Sequence, residues 1–214
     1  MTFQDVYKEL LDLTNTSDAL MLHRAKRAVN RALAWMLNQH NFLYNETSAS
    51  VVCTPGSTEV AMPSGSGKLI SACFADEGKT LKIMPYELFR AKKNLYEMRT
   101  TSSVDDVSYF QDFITDTYGY VITQKGNKLV LVPGPVSDVT LSLYYQKTFV
   151  PLTSESDTHF LLDAFPDAVM LKAITSVFRA YLKPEIAASF SSELFLGEWA
   201  GVVAWDVDLR SNSN

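Results

Sequence analysis

The sequence predicts an α+β protein in which a helical bundle drawn from both chain ends carries an inserted antiparallel β-rich lobe. Three observations predict it. Near the start, from Phe3 to Met36, apolar residues recur every three or four positions. Between about residues 45 and 153 the period shortens towards two, and turn residues recur. After Pro166 a long apolar helical pattern returns. The expected division is discontinuous. Residues 1–44 and 154–205 form the bundle, and 45–153 form the insertion with one helix at about 86–98. Residues 206–214 are polar and are expected to be a flexible C-terminal tail.

A first helix spans about Thr2 to Thr14, with Phe3, Val6, Leu10 and Leu13 on one face. Asn15, Thr16, Ser17 and Asp18 break it and cap the next. The second helix runs from Asp18 to about His40. Its core stripe is Leu22, Ala25, Val29, Ala32, Leu33 and Met36, and Arg24, Arg27 and Arg31 form a basic stripe on another face.

Short strands follow at 50–54, 58–62, 68–75 and 80–84, separated by Pro55-Gly56-Ser57, a flexible Pro63–Gly67 loop and Asp76–Lys79. Pro85 opens a helix whose candidate buried residues are Leu88, Phe89 and Leu95. Residues 100–106 read as a mobile loop, and Asp105, Asp106, Asp112 and Asp116 make its surroundings acidic. Strands at 118–123, 127–132 and 139–148 come next, joined at Lys125-Gly126-Asn127 and Pro133-Gly134-Pro135. In the last of them Leu141, Leu143 and Tyr145 share one face. Tyr118, Tyr120, Tyr144 and Tyr145 are expected to cluster in neighbouring strands and stack across a sheet.

A polar linker at 153–158 precedes a helical turn at 160–164, and Pro166 starts a helix to about Leu182. A last helix runs from about Glu185 to beyond Trp199. Ile186, Phe190 and Leu194 are its apolar repeat, and Gly197 and Gly201 permit close approach by another helix.

The composition narrows the function classes. Of 214 residues 47% are hydrophobic and 20% charged, an ordinary globular balance with a net charge of −5. That charge argues against a free-standing nucleic-acid binder held by broad phosphate neutralisation. Cys53 and Cys73 are read as free thiols in strands. The opening Met-Thr-Phe-Gln-Asp-Val lacks a signal-peptide pattern, and no apolar run is long enough to span a membrane.

Catalytic chemistry has little to stand on. Gly65-Ser66-Gly67-Lys68 suggests a phosphate loop, but Met62 replaces the required first glycine and Leu69 the final Ser or Thr. His23, His40 and His159 form no i, i+4 pair, and neither cysteine lies in a CxxC. No GxSxG elbow is present. The expectation is no catalytic residue, no metal and no cofactor.

The stretch from Tyr118 to Leu182 carries a resemblance. It reads Tyr-Gly-Tyr-Val-Ile-Thr, Gly-Asn-Lys-Leu-Val-Leu-Val-Pro-Gly-Pro, Val-Thr-Leu-Ser-Leu-Tyr-Tyr and Val-Pro-Leu. It closes with Phe-Leu-Leu-Asp-Ala-Phe-Pro-Asp-Ala-Val and an apolar helix ending Arg-Ala-Tyr-Leu. Three strands feeding a helix across a polar loop resemble the head-to-tail adaptor (connector) proteins of short-tailed and related tailed bacteriophages. With the N-terminal helix pair and the insertion, the resemblance covers most of the chain.

It implies a structural virion protein of the neck, assembled in the host cytoplasm. It implies a homo-oligomeric, twelve-copy ring docked on the portal protein and contacting a tail or nozzle protein. Genomic DNA would pass through the lumen without sequence recognition, and no membrane is involved. The family's C-terminal segment reaches into the portal, which here maps onto about Val203 to Asn214, including Trp205, Leu209 and Arg210. A closed ring needs two different complementary patches per subunit. Arg24, Arg27 and Arg31 are one candidate, and the acidic region with Asp105 and Asp106 the other. Other neck or tail rings, such as head-completion or tail-terminator proteins, remain alternatives. A small enzyme or nucleic-acid-binding module would need a site that the sequence does not display.

Overall fold

The computed structural model describes residues 1–13, 18–99, 120–175, 182, 190 and 192–212. The chain divides into two compact units, residues 1–44 with 149–214, and residues 45–148.

In the first unit α1 spans Phe3–Asp12. Thr2 begins it with a capping box: its hydroxyl accepts the Asp5 N–H at 3.3 Å, and the Thr2 N–H donates to the Asp5 carboxylate at 2.8 Å. The Thr2 backbone N–H, and then the Thr2 hydroxyl donating to the same carboxylate at 2.8 Å, hold the Asp5 carboxyl below its usual range. Thr2→Ala removes the cap and should cost about 1 kcal/mol. A urea titration that gives the wild-type midpoint would refute this.

α2 spans Ala19–Gln39, and the Asp18 carboxylate caps it by accepting the Met21 N–H at 2.7 Å. Asn30 on α2 clamps the chain that returns at Leu152. Its side chain donates to the Leu152 carbonyl at 3.0 Å and accepts the Leu152 N–H at 2.8 Å. Two short helices follow, α4 at Phe160–Ala164 and α5 at Pro166–Ala173, with α3, Tyr86–Arg99, lying in the other unit. Pro166 sits in the first turn of α5, where its missing N–H costs no helical bond. α6 spans Ser192–Asn212.

One core gathers these elements. Phe3, Val6, Tyr7 and Leu10 of α1 meet Ala25, Val29, Leu33 and Met36 of α2, with Leu161, Val169, Ile174 and Val202. These are mostly the residues that helical spacing placed on apolar faces, because one stripe per helix must leave water. Leu13 and Leu22, expected in those stripes, are only partly buried at its edge.

Two expectations for the end of the chain are corrected. Residues 206–212 are the final turns of α6, not a flexible tail. The reason is Asp206, which is fully buried and hydrogen-bonded although it sits in a polar run. The apolar repeat through Leu194 is also out of phase: Leu194 is 53% exposed, and Phe195 and Val202 face inward instead. Ile186 and the start of that helix at Glu185 lie outside the described residues, as do Val177, Phe178 and Tyr181.

The second unit holds two sheets, ordered β1-β7-β3 and β2-β6-β5-β4. The strands are β1 Glu46–Cys53, β2 Glu59–Ala61, β3 Ser66–Phe74, β4 Lys82–Ile83, β5 Val121–Lys125, β6 Lys128–Val132 and β7 Val139–Lys147. Side chains from both sheets share a core of Cys53, Leu69, Phe74, Ile122, Leu129, Leu131, Leu141 and Leu143. In β7, Leu141, Leu143 and Tyr145 point inward, as alternation predicts. β5 and β6 pair through a two-residue turn in which Gly126 takes φ +62°, so glycine is needed there.

The insertion is not wholly antiparallel. The chain turns back after Phe74, with a bridge from Cys73 to Thr80, and then leaves that sheet. β4 joins the other sheet parallel to β5. This crossing also separates the tyrosines. Tyr144 and Tyr145 lie in one sheet, whereas Tyr120 precedes a strand of the other and packs edge-on against Phe74 at 5.0 Å. Tyr118 lies outside the described residues. α3 spans Tyr86–Arg99. It buries Phe89 but leaves Leu88 48% exposed, because adjacent residues on a helix point about 100° apart.

Candidate functional site

The glycine-rich loop is an architectural feature. Gly65 occupies the turn with φ +73°, and Ser66 and Gly67 already belong to β3. A Cβ on Gly67 would come within 3.2 Å of the Gln146 carbonyl, so glycine there permits close strand approach. β3 slips register between Ser66 and Ser71, and Gln124 of the opposite sheet repairs the gap. Its side chain accepts the Leu69 N–H at 2.8 Å and donates to the Gly67 carbonyl at 2.6 Å. Lys68 is exposed. The Ser66 and Leu69 N–H groups are thus taken by the Pro63 carbonyl and Gln124 rather than turned to a common anion.

Among the described residues no three His, Cys, Asp or Glu side chains converge as metal ligands. Cys53 is a buried free thiol pushed up in pKa by burial, which keeps it protonated and unreactive. His159 caps α4 by accepting the Leu161 N–H on Nδ1 at 3.2 Å. Burial lowers its pKa to about 4, opposed by Asp163, so it is neutral at pH 7. A cleft in the second unit, about 170 Å³, is lined by Phe74, Asp76, Glu77, Tyr120 and Val136. It contains carboxylates without a nucleophile–base pair among its described lining.

The distinctive surfaces lie on α2 and α6. Arg27 and Arg31 project to solvent on α2, with His23 and Leu20 on the same ridge. Arg24 is half-buried and sets Nη1 at 3.7 Å from the Met21 sulfur. Asp105 and Asp106 lie outside the described residues.

The C-terminal candidates are engaged within their own unit. Trp205 stacks on Tyr44 at 5.5 Å with planes 8° apart and meets Phe165 edge-on at 5.1 Å. Val203 and Leu209 are half-buried. Arg210 donates from Nε to Asp206 at 3.0 Å and from Nη2 to the Asn41 carbonyl.

Asp206 is the hub that sequence reasoning missed. Its carboxylate accepts the Leu43 N–H at 2.7 Å, contacts His40 Nε2 at 2.9 Å and receives Arg210. Burial raises its pKa, but the Leu43, His40 and Arg210 bonds outweigh that and hold it below the usual carboxylate range. The i, i+4 spacing of Asp206 and Arg210 was the available signal, and it was absorbed into a polar tail. Lys172 was also missed. Its Nζ lies 3.5 Å from the Trp35 ring centre and 4.9 Å from that of Phe195, and burial lowers its pKa. Trp199 packs edge-on to Trp35 at 5.6 Å, so the aromatic cluster secures the first half of α6 as Asp206 secures the second.

A family model described as SU10 adaptor protein matches residues 1–207. This chain belongs to the SU10 adaptor protein family. That is a family of phage head-to-tail adaptors, structural proteins and not enzymes. Comparison with curated proteins gives no match. The match takes in both units of the adaptor and α6 as far as Val207. Among its described residues no helix is long and apolar enough to cross a membrane.

Proposed function

We propose that this adaptor forms a closed, twelve-copy ring under the portal, extends the DNA channel and joins the capsid to the tail or nozzle. The family match along residues 1–207 is the observation that carries this reading. Charge and surface chemistry support it. The net charge of −5 suits a channel wall that genomic DNA passes without sequence recognition, since like charge does not retain phosphates. Arg27 and Arg31 supply exposed cations for a neighbouring subunit or the portal, and Asp105 and Asp106 supply anions for the same task. The end of α6, with Val203, Trp205, Leu209 and Arg210, is the portion that would approach the portal. Its engagement with Tyr44 and Asn41 supports a contact made by a folded helix end.

Cryo-electron microscopy of the protein mixed with portal rings from the same genome tests the proposal. The expected result is a twelvefold ring on one face of the portal. Folded protein that leaves every portal ring bare would overturn it.

A further inference from the structure

We propose that the solvent side of α6 receives the basic ridge of α2 from a second copy of this chain, an inference that rests on the ring reading above. The first support is that the solvent side of α6 carries a strip of small and apolar residues between its carboxylates. Phe195 and Val202 point into the core, while Leu196, Gly197, Ala200, Gly201, Ala204 and Val207 point outward. Exposed apolar residues gathered in a strip beside acidic ones, Glu193, Glu198 and Asp208, suit contact with another polypeptide. A Cβ built on Gly197 or Gly201 would meet nothing within 4 Å. Packing within the chain therefore does not require glycine at either position, although each weakens the helix relative to alanine.

The second support is complementarity with α2. Leu20, His23, Arg27 and Arg31 form an exposed ridge of long side chains at steps of three and four. Gly197, Gly201 and Ala204, continued by Asp208, form an exposed row that also steps by three and four and covers the same eleven-residue span, with almost no side-chain height at its first three members. Each row spans about 17 Å along its helix axis. A ridge of large residues fits a groove of small ones, which is how helices pack.

Charge follows shape. Glu193, Glu198 and Asp208 are exposed along the α6 row. Among the described residues none of them makes an ion pair, and neither do Arg27 and Arg31. Two α6 faces brought together would oppose carboxylate to carboxylate, so a two-fold dimer through this face is disfavoured. Pairing α6 of one copy with α2 of the next joins two different patches, the kind of contact that closes a ring.

The test counts rings on portal by negative-stain microscopy, using the full chain and confirming each variant's fold by its thermal melt. Gly201→Leu fills the groove while favouring the helix, and Arg27→Glu with Arg31→Glu reverses the ridge. Each should lower ring occupancy about tenfold or more. Adding Glu198→Lys and Asp208→Lys to the arginine reversal should restore rings. Folded Gly201→Leu and arginine-reversed proteins that assemble like wild type would overturn the pairing while leaving the ring reading intact. Failure of the fourfold reversal to recover would overturn the charge match. Absence of wild-type rings would instead overturn the ring reading, and the pairing with it.

Discussion

Asp206→Ala should destabilise the helical unit by about 3 kcal/mol, the low end for removing one member of a buried ion pair. The low end applies because His40 and Arg210 keep partial access to water. Asp206 itself is 0% exposed, and its loss leaves the Leu43 N–H without its acceptor and releases Arg210. The last turns of α6 should then fray first, since Arg210 ties them to Asn41 and Asp206 together. Urea titration reads the midpoint, and amide exchange at residues 203–212 reads the fraying. A wild-type midpoint would show that the hub does not hold the helix.

The same carboxylate sets a pH signature. A carboxyl held low in the folded state stabilises above its unfolded pKa, 3.8, and that contribution is lost as pH falls through the folded value. His159 acts over a different window. Its pKa is about 4 when folded and 6.5 when unfolded, so the unfolded chain binds the extra proton between those values. Its contribution is full above pH 6.5 and is lost as pH falls towards 4. Wild-type stability should therefore decline in two stages, below about 6.5 and again below about 4. His159→Gln should remove the upper stage, and Asp206→Asn the lower. An unchanged pH profile in either variant would refute the corresponding assignment.

Phe42→Ala should cost about 3–5 kcal/mol, the usual range for a fully buried phenylalanine. Phe42 is 0% exposed. Its ring meets His40 at 4.8 Å, Phe160 at 5.4 Å and Trp199 at 6.0 Å, so it joins the exit of α2 to α4 and α6. This loss is a cavity and not a charge, so it should not shrink as pH falls from 7 to below 3.8, unlike that of Asp206. Calorimetry at two pH values separates the variants. Because Phe42 and Asp206 both anchor α6 beside α2, the double variant should lose less than the sum. Full additivity would show that the two contacts act separately.

The readings that succeeded depended on neighbours in sequence. Phe3, Val6 and Leu10, the Asp18 cap, the alternation of Leu141, Leu143 and Tyr145 and the Gly126 turn are all local patterns. Each is decided within one or two turns of chain. The readings that failed depended on residues far apart. Leu194 seemed inward from its four-residue repeat, but the phase of α6 is set by Trp35 meeting Phe195 and Trp199. Tyr120 seemed a neighbour of Tyr144 until β4 crossed between sheets. The proposed assembly surface was half legible: Arg27 and Arg31 were visible as a stripe, and Gly197 and Gly201 as a spacing. That both glycines face open solvent was not visible, because periodicity does not say which side of an apolar helix is covered.

By itself the sequence determined the α+β class, the order of helices and strands, most buried faces and the adaptor resemblance, since these follow from local periodicity and residue order. Only the tertiary structure decided the fate of Asp206 to Asn212. A polar run reads as solvated tail unless its carboxylate finds donors, and the donors at Leu43 and His40 lie more than 160 residues away in the chain. Long-range hydrogen bonding to a buried charge has no period and leaves no local pattern, so folding alone brings it into view.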